Sequence, residues 1–446
     1  MRARSRRSGV RSITRFRLRH LAGESLWLIP AFYVCLALVL VGLTELVPAI
    51  DIISAPEVDA TLLTSIASGM LALAGFVITI AFITVEFASI ALSPRLVGIL
   101  RRDRMVKRAL GLSFGAFTYA TIGALMVHPG RNSTDDVFGI VATIWSILAA
   151  VMFVVMLDRI SNTLRAGNAV ATVGDKARKE LDVVHPVAFG VEGDAPLAAA
   201  SPEAPLTAPS DTVIEVHEAA EPEYWDGDRD APPTRRFLGD GPTTLHHEGR
   251  PGVLVAADLI RLSRVATRAG TRIDLQVPVG RFVPVHSALL RIDGVPVADH
   301  EDDLRAALAF ASEPTLSADP RHAFRVLVDI GLKGLAPGVN DPTTAVQAID
   351  QMHDLLRRLA WRQLGELRVR DARGHVRVTM PAPTWGHYLR LSCEELADFG
   401  ARHAQVRRHL RVMLDDLCEW APEERREAAR YQRDRTEDAL GALRAS

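Results

Sequence analysis

The stretch that decides the fold is residues 62–85, LLTSIASGMLALAGFVITIAFITV, which carries no charged side chain. A helix needs about 20 apolar residues to cross the roughly 30 Å hydrocarbon core of a bilayer. Past Glu86 the run continues to Leu92, and three more uncharged stretches of spanning length lie at 26–44, 109–127 and 137–157. The expected fold class is membrane α-helical: four transmembrane helices followed by a mostly helical α/β cytoplasmic region.

Composition fits that division. Hydrophobic residues make up 48% of the 446 and charged ones 24%, with a mean hydropathy of +0.12. Both values are high because the long apolar runs fall before residue 158 and most of the charge falls after it. The net charge of −1 gives no whole-chain attraction for polyanions, so no nucleic-acid partner is expected. Only Lys107, Lys176, Lys179 and Lys333 are lysines among 52 basic residues, a skew toward arginine that fits a GC-rich genome. Cys35, Cys393 and Cys418 form neither a disulfide framework nor a CxxC metal pair.

The flanking loops set the orientation. Arg2, Arg4, Arg6, Arg7, Arg11, Arg15, Arg17 and Arg19 precede the first span with no acid among them, whereas Asp51, Glu57 and Asp59 follow it with no base. Arg95, Arg101, Arg102, Arg104, Lys107 and Arg108 follow the second span, and Arg159, Arg165, Lys176, Arg178 and Lys179 follow the fourth. The alternation places both termini in the cytoplasm. No cleavage site follows the first apolar run, so a retained anchor is expected rather than a signal peptide. The expected partner of these arginines is the bilayer itself, through its anionic lipids.

Small residues recur at helical spacing: Gly111, Gly115, Tyr119 and Gly123 on the third span, and Ser65, Ser68, Gly69, Ala72 and Gly75 on the second. Such a face suits close packing between helices, or the lining of a pore formed by a homo-oligomer. Glu86 is the acid inside the longest apolar run. Counting from Leu62, it falls about one turn beyond the hydrocarbon core, at the cytoplasmic interface, where a plain interfacial role and an ion-selecting one both remain open. Ser93-Pro94-Arg95 then reads as a helix start, with serine as N-cap and proline at the first position, opening a short surface helix over 94–102.

The expected domains are a basic N-terminus (1–25), the membrane helices (26–160), a juxtamembrane segment (161–185), a disordered Pro- and acid-rich linker (186–247) and a cytoplasmic domain (248–446). In the last, strands are expected at 252–255, 273–277, 281–285 and 288–292, and helices at 258–268 and 299–311. Asp319-Pro320 and Asp341-Pro342 mark two further helix starts. The first helix, 320–333, can carry an Arg325–Asp329–Lys333 charge ladder. Between the two lies Gly334-Leu335-Ala336-Pro337-Gly338-Val339-Asn340-Asp341, an anion cradle or an ordinary hairpin turn. A β-hairpin at 367–379 and three helices over 385–443 complete the pattern. His300-Glu301-Asp302-Asp303 reads as an acidic first helical turn rather than a metal set.

These residues carry a resemblance. FASIALSPR (87–95) and RVLVDIGLKGLAPGVNDPTTAV (325–346), with weaker support from VGRFVPVHSALLRI (279–292), resemble the bacterial predicted membrane protein family called domain of unknown function 2254. Asn340, Asp341, Pro342, Thr343 and Thr344 are its most specific part. The resemblance implies an integral protein of the bacterial inner membrane and no established activity. The candidate functional residues are therefore Glu86, Ser93, Pro94, Arg95, Asn340, Asp341, Pro342, Thr343 and Thr344.

No Walker A, GxGxxG, HExxH, GxSxG or zinc-type spacing occurs, so neither a catalytic site nor a cofactor is expected. Two readings stand: a membrane-anchored cytoplasmic binding or signalling scaffold, and an oligomeric channel-like protein gated by its cytoplasmic domain. In a cysteine-free background, Glu57→Cys and Ser133→Cys should react in intact cells with an impermeant thiol reagent, and Ser201→Cys should not. Labelling at position 201 would reverse the orientation.

Overall fold

A computed structural model describes residues 27–46, 60–91, 104–127, 132–163, 165–185, 189, 213–217, 243–293, 300–314 and 319–442. They fall into two compact units, divided between Asn168 and Ala169. The expected 1–25 segment, and Ser93, Pro94 and Arg95 with the short helix expected after them, lie outside the described residues.

The first unit is helical. It contains α1 (Leu28–Leu46), α2 (Ala60–Ala91), α3 (Arg104–Met126) and α4 (Asn132–Thr163). Among the described residues three helices, rather than the expected four, are long and apolar enough to cross a membrane: α2, α3 and α4. α1 begins at Leu28, and its apolar part ends at Thr44, just before Glu45. At 1.5 Å per residue that part covers about 26 Å, short of a hydrocarbon core.

α3 is the centre of the bundle and packs against α1, α2 and α4. Its most apolar window is 56% buried, against 17% for α2 and 22% for α4. Glycines make this possible. The Tyr33 ring lies over Gly111, a Cβ added at Gly115 would lie 2.7 Å from Trp145, and one added at Gly123 would lie 3.0 Å from Phe138. Rings from α1 and α4 therefore rest directly on the α3 backbone. Tyr119, fully buried, lies 5.6 Å from Phe138 and 6.0 Å from Trp145 between ring centroids, and its hydroxyl shares a 2.9 Å hydrogen bond with Thr44. The buried hydroxyls of Thr84 and Ser113 donate to carbonyls one turn earlier in their own helices. The one buried charge among the described residues of this unit, Lys107, stands in the first turn of α3.

The division falls in the first turn of α5 (Ala166–Val184), whose buried stripe, Ala169, Val170, Val173, Ala177 and Leu181, belongs to the second unit. Its strands are β1 (Val213–His217), β2 (Thr243–His246), β3 (Gly252–Ala257), β4 (Arg272–Leu275), β5 (Phe282–Val283), β6 (Ala288–Asp293), β7 (Leu308–Ala311), β8 (Glu366–Arg370) and β9 (Val376–Met380). Six make one sheet in the order β1-β8-β9-β4-β6-β2, antiparallel except for the parallel β4–β9 pair; β5-β3-β7 make a second. Helix α6 (Leu259–Ala269) buries Leu259, Leu262 and Val265 in the core shared with the larger sheet. The remaining helices are α7 (Glu301–Ala306), α8 (Pro320–Leu335), α9 (Pro342–Leu359), α10 (Trp385–Gly400), α11 (Ala404–Trp420) and α12 (Glu423–Ala442).

Two differences from the sequence reading have clear causes. The 186–247 stretch, expected as disordered linker, supplies β1 and β2, the two edges of the larger sheet. The alternation Val213-Ile214-Glu215-Val216-His217 buries Ile214 and pairs Glu215 with Arg370 at 2.7 Å, a local pattern that the acidic, Pro-rich average conceals. The helix expected over 299–311 stops at Ala306, and Leu308–Ala311 pairs with β3. Ala307-Leu308-Ala309 favours a helix intrinsically, and pairing across the sheet overrides that preference.

Because Gly115 accepts an indole against its backbone, Gly115→Val should cost about 1–3 kcal/mol. Gly69→Ala should be close to neutral, since a Cβ there meets nothing within 4 Å. Thermal unfolding of the detergent-solubilised protein checks both.

Candidate functional site

Helix α8 starts at Asp319, whose carboxylate accepts from the Arg321 amide at 3.0 Å and holds the Arg321 guanidinium at 2.8 Å. Arg325 bonds Asp329 at 2.9 Å, as the expected ladder requires, and also reaches Glu395 on α10. The α8–α9 connection is a tight turn. Val339 and Asn340 both donate to the Ala336 carbonyl at 2.9 Å, and Asn340 adopts φ 47°. Asparagine tolerates this left-handed conformation better than most residues. The Asp341 amide then donates to the Gly334 carbonyl at 2.8 Å. A Cβ on Gly334 would meet the Asp341 carbonyl oxygen at 2.8 Å, so the close approach requires glycine.

Asp341 caps α9. Its Oδ1 accepts from the Thr343 and Thr344 amides at 3.1 and 3.3 Å, and its Oδ2 accepts the Thr344 hydroxyl at 2.6 Å. Pro342 occupies the first helical position, where a missing N–H costs nothing. Thus all five residues help to build the turn and cap, Asn340 and Thr343 through their backbones, and the side chains of Asn340 and Thr343 remain exposed. Glu86 belongs to the other unit, on the exposed side of α2.

The structure adds a neighbour that the sequence reading missed. Pro342 borders an open pocket of about 460 Å³ whose other walls are Arg402 and His403, before α11, and Ala404, Gln405 and Arg408, in its first turns. His403 is the N-cap of α11 and makes no side-chain capping bond, whereas Asp258, Asp319, Asp341 and Thr384 each cap their helices. The available signal was Arg402-His403-Ala404-Gln405-Val406-Arg407-Arg408, a basic run at a helix start, where acids are the favoured residues.

The titratable groups buried elsewhere in this unit are shifted by their surroundings. His185, at the end of α5, lies 3.3 Å from the Tyr388 hydroxyl, and burial with Arg425, Arg362 and Arg321 nearby lowers its pKa to about 4. Burial, Arg321 and Arg390 lower that of His387 to about 3. Burial pushes the Cys393 thiol well above its ordinary value, so it carries no thiolate. Arg425 donates to the Leu359 and Ala360 carbonyls, both at 2.9 Å, at the C-terminal end of α9, and stacks 4.4 Å over Phe189. Glu301 pairs with Arg305 and Asp303 with Arg261. Among the described residues no three His, Cys, Asp or Glu side chains form a metal-ligand set.

Several apolar helices followed by a helix-and-sheet unit define a membrane protein. The chain belongs to the family described as Predicted membrane protein (DUF2254), whose profile matches residues 23–416. It is similar to uncharacterised proteins of Mycobacterium bovis and Mycobacterium tuberculosis, each 23% identical over 413 residues, covering 89% of this chain and 72% of the relative. No solved structure matches it.

Loss of an N-cap costs about 0.5–2 kcal/mol. Asp341→Ala should therefore lower the unfolding midpoint of the full chain, and Asp341→Asn, which keeps one acceptor oxygen, should restore most of it.

Proposed function

We propose that this protein is a multi-pass scaffold of the bacterial inner membrane, with both termini cytoplasmic, whose helical unit anchors a cytoplasmic binding unit. The supporting observation is the filled interior of the bundle. Rings seated on Gly111, Gly115 and Gly123, with Tyr119 buried among them, fill the interior of the described helices along α3. α1 serves as a fourth, short span: Ala37 and Val41 pack in the same core as Ala116, Tyr119 and Trp145, and modest bilayer thinning accommodates its length. The domain division follows the same scheme, with the N-terminal arginines resting on anionic headgroups.

One observation favours the alternative, an oligomeric channel-like protein. On α2, Ser65, Ser68, Gly69, Ala72, Gly75, Thr79 and Glu86 are all exposed, and nothing lies within 4 Å of where a Cβ would stand at Gly69 or Gly75. Several copies meeting along that face would ring a conduit with Glu86. Planar-bilayer recording separates the readings. The scaffold reading predicts a reconstituted protein that passes no current under voltage. Single-channel current whose reversal potential shifts in Glu86→Gln would replace it with the channel reading.

A further inference from the structure

Arg402 and Arg408 are exposed arginines: among the described residues neither side chain takes part in a hydrogen bond, ion pair or ring contact. Most arginines of the unit are engaged, such as Arg178, Arg261, Arg321, Arg325, Arg357 and Arg377, and a few others, Arg264 and Arg268 among them, are equally unengaged; Arg402 and Arg408 differ in standing together on one pocket. Both line the open surface pocket of about 460 Å³ beside Pro342. Every side chain lining it that can form a hydrogen bond can donate one, and no acid is among them. The acid next to the lining, Asp341, already accepts from two amides and a hydroxyl.

The charges are also costly where they stand. Arg402, His403, Arg407 and Arg408 cluster at the positive end of the α11 dipole, with no acid in its first turn and no side-chain cap. Cations at that end of a helix are unfavourable, and an anion among them reverses the sign of the interaction. Arg407 turns back onto the Ala401 carbonyl, which leaves the other two guanidinium forks open to the cavity. Guanidinium forks match phosphate oxygens in pairs.

We propose that this cavity binds a phosphate-bearing anion, held between Arg402 and Arg408 with Gln405 and His403 as further donors and Pro342 as the apolar wall. This deepens the reading of the second unit as a binding unit and rests on it. The phosphate comes either free in solution or on a lipid headgroup, and the shared chemistry is the same.

The test uses the full chain in dodecyl maltoside micelles at low salt. Inorganic pyrophosphate is titrated calorimetrically, and in a second arm phosphatidylglycerol or phosphatidylcholine is added while the unfolding midpoint is followed. Arg402→Gln/Arg408→Gln is compared with Arg264→Gln/Arg268→Gln, a pair on α6 away from the cavity. Because Arg402 and Arg408 hold nothing and stand at the positive end of the α11 dipole, their variant should unfold at or slightly above the wild-type midpoint without ligand. Pyrophosphate binding weakened at least tenfold in the cavity variant alone supports the site with a free phosphate ligand. Stabilisation by phosphatidylglycerol, lost in the cavity variant alone, supports it with a lipid headgroup. Response to neither probe, or equal loss in both variants, overturns it. The scaffold reading would survive that outcome, because it fails by the appearance of current.

Discussion

The membrane unit depends on aromatic rings pressed against the backbone of one helix. In lipid, helices gain little from burying apolar surface, so close approach and van der Waals contact carry their association. Glycine at positions 111, 115 and 123 lets Tyr33, Trp145 and Phe138 reach the α3 backbone. α3 thereby becomes the buried axis, while α2 and α4 turn large apolar side chains such as Phe76, Phe82, Ile144 and Val154 outward. Small residues on α2 have the same spacing but no ring above them. One compositional signal thus has two structural outcomes, a filled seat and an open face.

In the second unit many polar groups fix element ends. Asp258, Asp319, Asp341 and Thr384 start helices, and Arg425 closes the end of α9. α5 is tied to α9 by Arg178, which bonds Gln351 at 3.0 Å and Asp354 at 2.9 Å, and Asp182 bonds Arg362 at 2.7 Å. Such satisfied networks position segments, and a satisfied carboxylate or buried neutral imidazole is poorly placed to bind a ligand. The basic start of α11 differs in bringing two unengaged guanidinium groups, those of Arg402 and Arg408, to one pocket.

Much of this was legible in the sequence where the signal is local. Asp-Pro at 319 and 341 located two helix starts, the helix expected over 258–268 matches α6, and the hairpin expected over 367–379 matches β8 and β9. Long apolar runs gave the membrane helices, with α1 overestimated because composition does not reveal where a helix begins. Composition also concealed β1 and β2, since strands of four or five residues vanish in a window averaged over an acidic stretch. Of the candidate residues, the turn from Asn340 to Thr344 was readable as a motif. Its proximity to Arg402 and Arg408 was not, because no periodicity reports that two distant turns share a cavity.

The central claim is that the interior of a single copy of the bundle is closed. Reactivity of buried cysteines tests it most directly. Ala116→Cys and Ala120→Cys on α3, both at positions with no exposed surface, are placed in a cysteine-free background and reconstituted into vesicles. A water-soluble methanethiosulfonate reagent should leave both unmodified while it labels Phe399→Cys, at an exposed position of the second unit, to completion. Modification of either α3 cysteine at the rate of that exposed site would mean a water-filled interior and contradict the account.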